Sequence, residues 1–280
     1  MDAARRVLLE VRGCPPGSHR AVIAPGQRLR VGRTSLADFQ VPGDEAMSQE
    51  HWELAWDGSV CEVRDLGSPG GLFVGGERRE RAEVRSGAWV RAGKTDFSVY
   101  FEHVEPRASL SGAPPEKAAR MEYALSFFER VARETPLFAV LDAAQSDRIL
   151  RLLRTSVDEF TSLFDGLRSE TEEDGAPYLV RFSPASRLLP RLIREGWGES
   201  WGVHLAAGAP LRDVRAHLRR LLVVTREADR RPMYFRFYDP RVLRAFLPIA
   251  TPRQKSALFG PIQRWFAEGP DGEGIQSWGP

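Results

Sequence analysis

Short apolar or alternating runs, broken every few residues by turn formers, fill the chain from Val7 to Phe101. Val7-Leu8-Leu9-Glu10-Val11, Trp52-Glu53-Leu54-Ala55-Trp56 and Phe97-Ser98-Val99-Tyr100-Phe101 are representative. This pattern predicts short strands, and Asp57-Gly58 between Trp56 and Val60 predicts a hairpin turn. An all-β sandwich over residues 1–105 follows. The stretch Pro106-Arg107-Ala108-Ser109-Leu110-Ser111-Gly112-Ala113-Pro114-Pro115 is small, polar and proline-rich, and predicts a flexible linker over 106–118. Beyond it the apolar period lengthens to near 3.6. Met121, Leu125, Phe128 and Val131 share one face of a helix that should stop before Pro136. Leu137–Leu141 reads as a buried strand, and Ile149, Leu152 and Leu153 as the inner face of the next helix. Ser183-Pro184 and Thr251-Pro252 each place a hydroxyl before a proline, the arrangement of an N-cap followed by the first helical residue. Residues 119–280 are therefore expected to form a mixed α/β domain with a helical C-terminal lobe.

Composition narrows the classes of function. At 280 residues the chain is long enough for two domains, each with its own core. No apolar run reaches the length of a membrane span, and the opening Met1-Asp2-Ala3-Ala4-Arg5-Arg6 lacks the apolar stretch of a secretory signal. A soluble cytoplasmic protein with no membrane partner is expected. The net charge is +2, and neither half is basic enough to imply nucleic acid. Only three lysines occur (Lys94, Lys117, Lys255), so the positive charge is almost entirely guanidinium, which favours fixed, hydrogen-bonded pairing. Cys14 and Cys61 fit no metal-ligand spacing and read as free thiols, so neither a metal nor a cofactor is expected.

Gly32-Arg33, then Ser48-Gln49-Glu50-His51, then Asp65-Leu66-Gly67-Ser68-Pro69-Gly70-Gly71-Leu72-Phe73-Val74-Gly75-Gly76 form an ordered set inside this strand-rich half. In order and spacing the set resembles the forkhead-associated (FHA) domain, a β-sandwich whose loops in typical members bind phosphothreonine. The resemblance implies that Arg33 and Ser48 contact a phosphate, to which a guanidinium and a hydroxyl are suited. Gln49 follows at a position that often assists. Gly32, His51 and Gly71 then hold the loop architecture, with His51 a brace that does not touch the ligand. Where the family has Thr-Asn, this chain has Pro69-Gly70, and the later Asn is Gly75. Proline offers neither hydroxyl nor N–H, and glycine has no amide side chain. Two ligand-holding groups are missing, so a protein-docking module is expected first, and a phosphothreonine reader second.

The second half carries Phe138–Ala144, Ala176–Val180, Gly196-Trp197-Gly198, Val214–Leu222, Met233-Tyr234-Phe235-Arg236-Phe237-Tyr238-Asp239-Pro240-Arg241-Val242-Leu243 and Phe259-Gly260-Pro261. This series, over about residues 121–268, resembles the adaptor family of bacterial type VI secretion, long catalogued as a domain of unknown function. The resemblance implies a chaperone-adaptor that loads an effector protein onto the VgrG spike. Arg236, Tyr238, Asp239 and Arg241 are candidate partner contacts. From the residues alone, Tyr234, Phe235, Phe237 and Tyr238 are expected on a strand with Arg236 on the opposite face. Asp239 is suited to cap the following helix and Arg241 to pair with a carboxylate, so an internal strand-to-helix junction is an equal reading. On the helix Leu211–Leu222, Leu211, Val214, Leu218 and Leu221 should be buried, while Arg215 and Arg219 either face solvent or dock acidic partner surface.

Trp197, Trp201 and Trp265 read as core residues. An enzyme would have to use His204, His217 and Asp239, since no nucleophile elbow, phosphate loop or paired-metal spacing is present. A non-enzymatic, cytoplasmic bacterial adaptor is the expectation.

Overall fold

A computed structural model describes residues 5–102, 114–164, 173, 175–184, 186–225 and 231–280. They form two compact units, the first built mainly from residues 1–105 and the second from residues 106–153 and 158–280.

The first unit is a pair of sheets. Its strands are β1 (Val7–Val11), β2 (Arg20–Ile23), β3 (Gln27–Gly32), β4 (Phe39–Gln40), β5 (Trp52–Trp56), β6 (Cys61–Asp65), β7 (Leu72–Val74), β8 (Glu77–Arg79), β9 (Arg81–Val84), β10 (Ala88–Ala92) and β11 (Thr95–Phe101). One sheet has the order β2-β1-β11-β10-β7-β8 and the other β4-β3-β5-β6-β9. The described pairs are antiparallel except β3 with β4, where Val31 stands beside Phe39. The alternation seen in the sequence places Leu9, Val31, Trp52, Leu54, Val63, Val90, Phe97 and Val99 in one core between the sheets. Trp52 of one sheet meets Phe97 of the other edge-on at 5.3 Å. The β5–β6 hairpin turns at Asp57-Gly58, as the sequence predicts: Gly58 has φ +109° and the Asp57 carboxylate accepts from the N–H groups of Ser59 and Val60.

The second unit has a central sheet of β12 (Leu137–Asp142), β13 (Glu159–Ser162), β14 (Pro177–Arg181), β15 (Gly202–Ala206), β18 (Arg264–Glu268) and β19 (Ile275–Trp278), in the order β13-β14-β12-β15-β18-β19. A separate ribbon pairs β16 (Val223–Thr225) with β17 (Pro232–Tyr234). The helices are α1 (Pro115–Glu134), α2 (Asp147–Arg154), α3 (Leu188–Gly196), α4 (Leu211–Leu221), α5 (Pro240–Phe246) and α6 (Pro252–Phe259). Along β12, Leu137, Ala139 and Leu141 join a core with α1, α2 and α3, whereas Phe138 and Val140 join a second core with α4, α5 and α6. Both faces of the sheet are covered by helices, so β12 reads as a continuous apolar run although its neighbours are antiparallel.

Several expectations are corrected. Of the linker 106–118, residues 106–113 lie outside the described residues, and Pro115–Ala118 already form the first turn of α1, with Pro115 at its first position. The C-terminal lobe is not helical throughout, because after α6 the chain returns to the central sheet as β18 and β19. Thr251 does cap α6, in a reciprocal pair with Gln254. Ser183 accepts no capping bond among the described residues, and it is the Ser186 hydroxyl that accepts from Leu189 N–H at the start of α3. The aromatic block is a strand only to Tyr234; Phe235 to Asp239 wrap over the sheet, and Phe237 is driven into the core beside Trp265. Among the described residues, no helix is long and apolar enough to cross a membrane.

Candidate functional site

At one end of the first unit the β4–β5 and β6–β7 loops are tied together by a chain of hydrogen bonds through His51, which is fully buried. Ser48 N–H donates to His51 Nδ1 at 3.1 Å, so that nitrogen offers its lone pair and the ring hydrogen resides on Nε2. Nε2 lies 3.1 Å from the Gly71 carbonyl and 2.8 Å from Ser68 Oγ. Ser68 Oγ donates to Asp65 Oδ1 at 2.5 Å and accepts from Gly71 N–H at 3.0 Å. Two glycines make this possible. A Cβ at Gly32 would run into the Gln49 carbonyl, and Gly71 has φ +74°, a conformation side chains resist. Asp44 adds a second tie, accepting from Lys94 N–H and the Thr95 hydroxyl, each at 2.7 Å, and from Ala46 N–H at 3.0 Å. Burial pushes its carboxyl upward, but these hydrogen bonds outweigh that and hold it below the usual range.

The brace leaves functional groups unspent. Arg33 N–H donates to Ser48 O at 2.9 Å, which sets the two residues side by side. Arg33 Nε donates to the Met47 carbonyl at 3.2 Å, while its terminal nitrogens have no partner among the described residues. The Ser48 hydroxyl and the exposed Gln49 amide are likewise without described partners. Pro69 and Gly70 are exposed at the same end. The sequence missed the roles of Ser68 and Asp65, whose only signal was their place in the Asp-Leu-x-Ser segment.

His51→Ala is expected to leave Ser48 N–H and the Gly71 carbonyl without their buried partner. At about 1–3 kcal/mol for each such group, the first unit should lose about 2–4 kcal/mol, read from the midpoint of its urea transition.

In the second unit the six candidate contact residues are drawn into internal pairing to different degrees. Arg236 donates from Nη2 to Asp142 Oδ2 at 2.5 Å, and Asp142 is buried at the end of β12. The Arg236 guanidinium also lies 5.8 Å above the ring of buried Tyr238. Asp239 caps α5 by accepting from Arg241 N–H, and takes Arg241 Nε and Nη2 at 2.9 and 2.8 Å. Against the upward push of burial, Arg241 holds the Asp239 carboxyl below its usual range. Arg215 donates to the Ser162 carbonyl at 2.8 Å, and Arg219 is half-buried on the same helix. On α4, Val214 and Leu218 are buried as expected; Leu211 and Leu221 are only half-buried, and His217 joins the inner face.

A groove of about 950 Å³, which no sequence pattern announced, opens among α4, the β16–β17 ribbon, α5 and α6. Leu221, Val224, Met233, Val242, Phe246 and Ile249 line it, with Ile249 81% exposed. Its size is that of a ligand or peptide cleft. Asp239 and Arg241 stand at its polar edge. The groove was invisible in the sequence because it joins residues from four separate elements.

His204 and His217 have structural surroundings. His217 Nε2 donates to the Leu258 carbonyl at 3.0 Å. His204 stacks on Phe128 with centroids 4.2 Å apart, and burial drives its pKa from 6.5 down to about 3. Between those values the unfolded chain binds a proton that the folded chain refuses, so stability falls as pH drops from 6.5 toward 3. His204→Phe keeps the stack and should remove about 2 kcal/mol of the acid-induced loss at pH 5. Denaturant titrations of variant and parent at pH 7 and pH 5 measure the difference.

Residues 29–93 match the FHA domain, and residues 137–257 match a domain described as of unknown function (DUF4123). The first unit thus carries an FHA domain and the second a DUF4123 domain. An FHA domain solved in work on phosphothreonine-dependent FHA interactions is 27% identical, covering 36% of this chain and 98% of its own at a TM-score of 0.31. The FhaA FHA domain, complexed with the intracellular domain of Rv3910, is 29% identical over 33% of this chain and 98% of its own, with a TM-score of 0.30. The FHA domain of the CT664 protein from Chlamydia trachomatis is 23% identical over 34% and 96%, with a TM-score of 0.32. No curated protein matches the chain.

Proposed function

We propose that this protein is a non-enzymatic adaptor of bacterial type VI secretion, acting in the cytoplasm, which is recruited by a phosphothreonine-bearing partner through its first unit and carries an effector in its second. The observation that carries the recruitment half is the seat at Arg33 and Ser48. The His51 brace fixes both residues while the Arg33 terminal nitrogens and the Ser48 hydroxyl keep their hydrogen-bonding capacity. A guanidinium fork and a hydroxyl at one rigid loop end suit a dianionic phosphate. Pro69 and Gly70 contribute no side-chain donor, so the affinity rests on these groups and on Gln49. Calorimetry of the full chain with a phosphothreonine peptide and its unphosphorylated twin tests this half; equal heats from both peptides, or none from either, would sink it.

The cargo half rests on the second unit's likeness to effector-loading adaptors and on the groove beside α5. An exposed apolar cleft with the Asp239–Arg241 pair at its polar edge suits an apolar effector segment. Loading onto the VgrG spike would follow from holding that segment. Affinity purification from a secreting bacterium should recover an effector together with the spike protein, and recovery of neither removes this half.

A further inference from the structure

The β7–β8 ribbon borders the phosphate seat, and its arginines are not equivalent. Arg79 pairs with Glu77, and Arg81 on the next strand pairs with Glu62. Arg78 is exposed and has no anionic partner among the described residues. It stands opposite Phe73 in the ribbon, and Phe73 lies two residues after Gly71 in the chain. The Arg78 side chain reaches over Gly71: a Cβ built there would lie 3.0 Å from its Cζ and closer still to Nε. A guanidinium therefore rests on the bare backbone of the loop that lacks side chains at positions 70 and 71. No hydrogen bond from the Arg78 guanidinium is present among the described residues, and the Gly71 carbonyl accepts from His51. One imidazole ring separates that carbonyl from Ser48 N–H, which places Arg78 at the same loop end as the seat.

We infer that Arg78 is a second anion-binding residue of this site, and that it selects phosphothreonine peptides carrying a further acidic group near the phosphorylated residue. The inference rests on the phosphothreonine reading above. Arg78 contributes to the flanking acidic group only, while the phosphate itself rests on Arg33 and Ser48. The recognised chemistry is a carboxylate or a second phosphate held by the guanidinium fork.

The test uses three phosphothreonine peptides in fluorescence anisotropy with the full chain: one with alanine flanks, one with aspartate flanks, and one with a flanking phosphoserine. The parent chain should prefer both acidic peptides over the alanine one by about tenfold, a preference that shrinks with added salt. Arg78→Ala should bring the ratio to near one while leaving alanine-peptide binding and the melting temperature in place. Preference for only one acidic peptide identifies the recognised group as the carboxylate or the phosphate. An acidic preference that survives in Arg78→Ala, or a parent chain indifferent to flanking charge, overturns the role of Arg78 alone. No phosphothreonine binding by the parent chain overturns both readings.

Discussion

Arg33→Ala should abolish measurable binding of a phosphothreonine peptide to the full chain while leaving the first unit folded. The side chain donates one internal hydrogen bond, from Nε to the Met47 carbonyl, and that bond is only partly buried, so its loss costs about 0.5–1.5 kcal/mol. The structural loss is therefore small. The functional loss is large because the terminal nitrogens are the only described guanidinium donors fixed beside Ser48. Two charge-assisted hydrogen bonds to a phosphate at about 1.5–3 kcal/mol each amount to a hundredfold or more in affinity. With no threonine or asparagine at 69 and 70 to share the load, the remaining groups should not hold the peptide. Calorimetry gives the affinity and circular dichroism the fold; a variant that binds within threefold of its parent would contradict this account.

Phe237→Ala should destabilise the second unit by about 3–5 kcal/mol, the range for removing a fully buried aromatic ring. Phe237 has no exposed surface and packs edge-on to Trp265 and Tyr238, with centroids at 5.8 and 5.6 Å. It belongs to the core that seats α4, α5 and α6 on the sheet. The cavity lies beneath the turn that positions Asp239 as the cap of α5, so the groove's α5 wall should loosen with it. Denaturant unfolding of the full chain should show the transition of the second unit moving while that of the first stays. Phe237→Leu, which refills most of the volume, should recover more than half of the loss.

Local pattern made much of the architecture legible. The β5–β6 hairpin, α1 up to Pro136, the buried strand β12 and the cap at Thr251 all follow from nearest-neighbour chemistry: a positive-φ glycine, a proline stop, an apolar run, a hydroxyl before proline. The errors arose where long-range packing overrode that chemistry. Ser183-Pro184 has the form of a cap, but the buried Asp158 carboxylate holds both the Ser183 N–H and the Ser186 hydroxyl, and the helix starts later with Ser186 accepting from Leu189 N–H. The aromatic block alternates like a strand, but the core needs Phe237 inside, and Arg236 is turned toward Asp142 some ninety residues earlier in the chain. Leu211 and Leu221 share the apolar stripe of α4 but are only half-buried, Leu221 because it sits beside the open groove.

The motif order Gly32-Arg33, Ser48-x-x-His51 and Asp65–Gly76 by itself determined which residues gather at one end of a β-sandwich, because a motif carries its local loop geometry with it. Only the tertiary structure decided which of those groups are spent. His51, Ser68 and Asp65 satisfy one another in the interior, whereas Arg33 and Ser48 retain donors at the surface. It also decided that Arg78, with no motif to mark it, lies on Gly71, and that residues from α4, a ribbon and two helices enclose one groove. A sequence pattern records what each residue is disposed to do; whether its hydrogen bonds are free for a partner depends on neighbours that only the fold brings within reach.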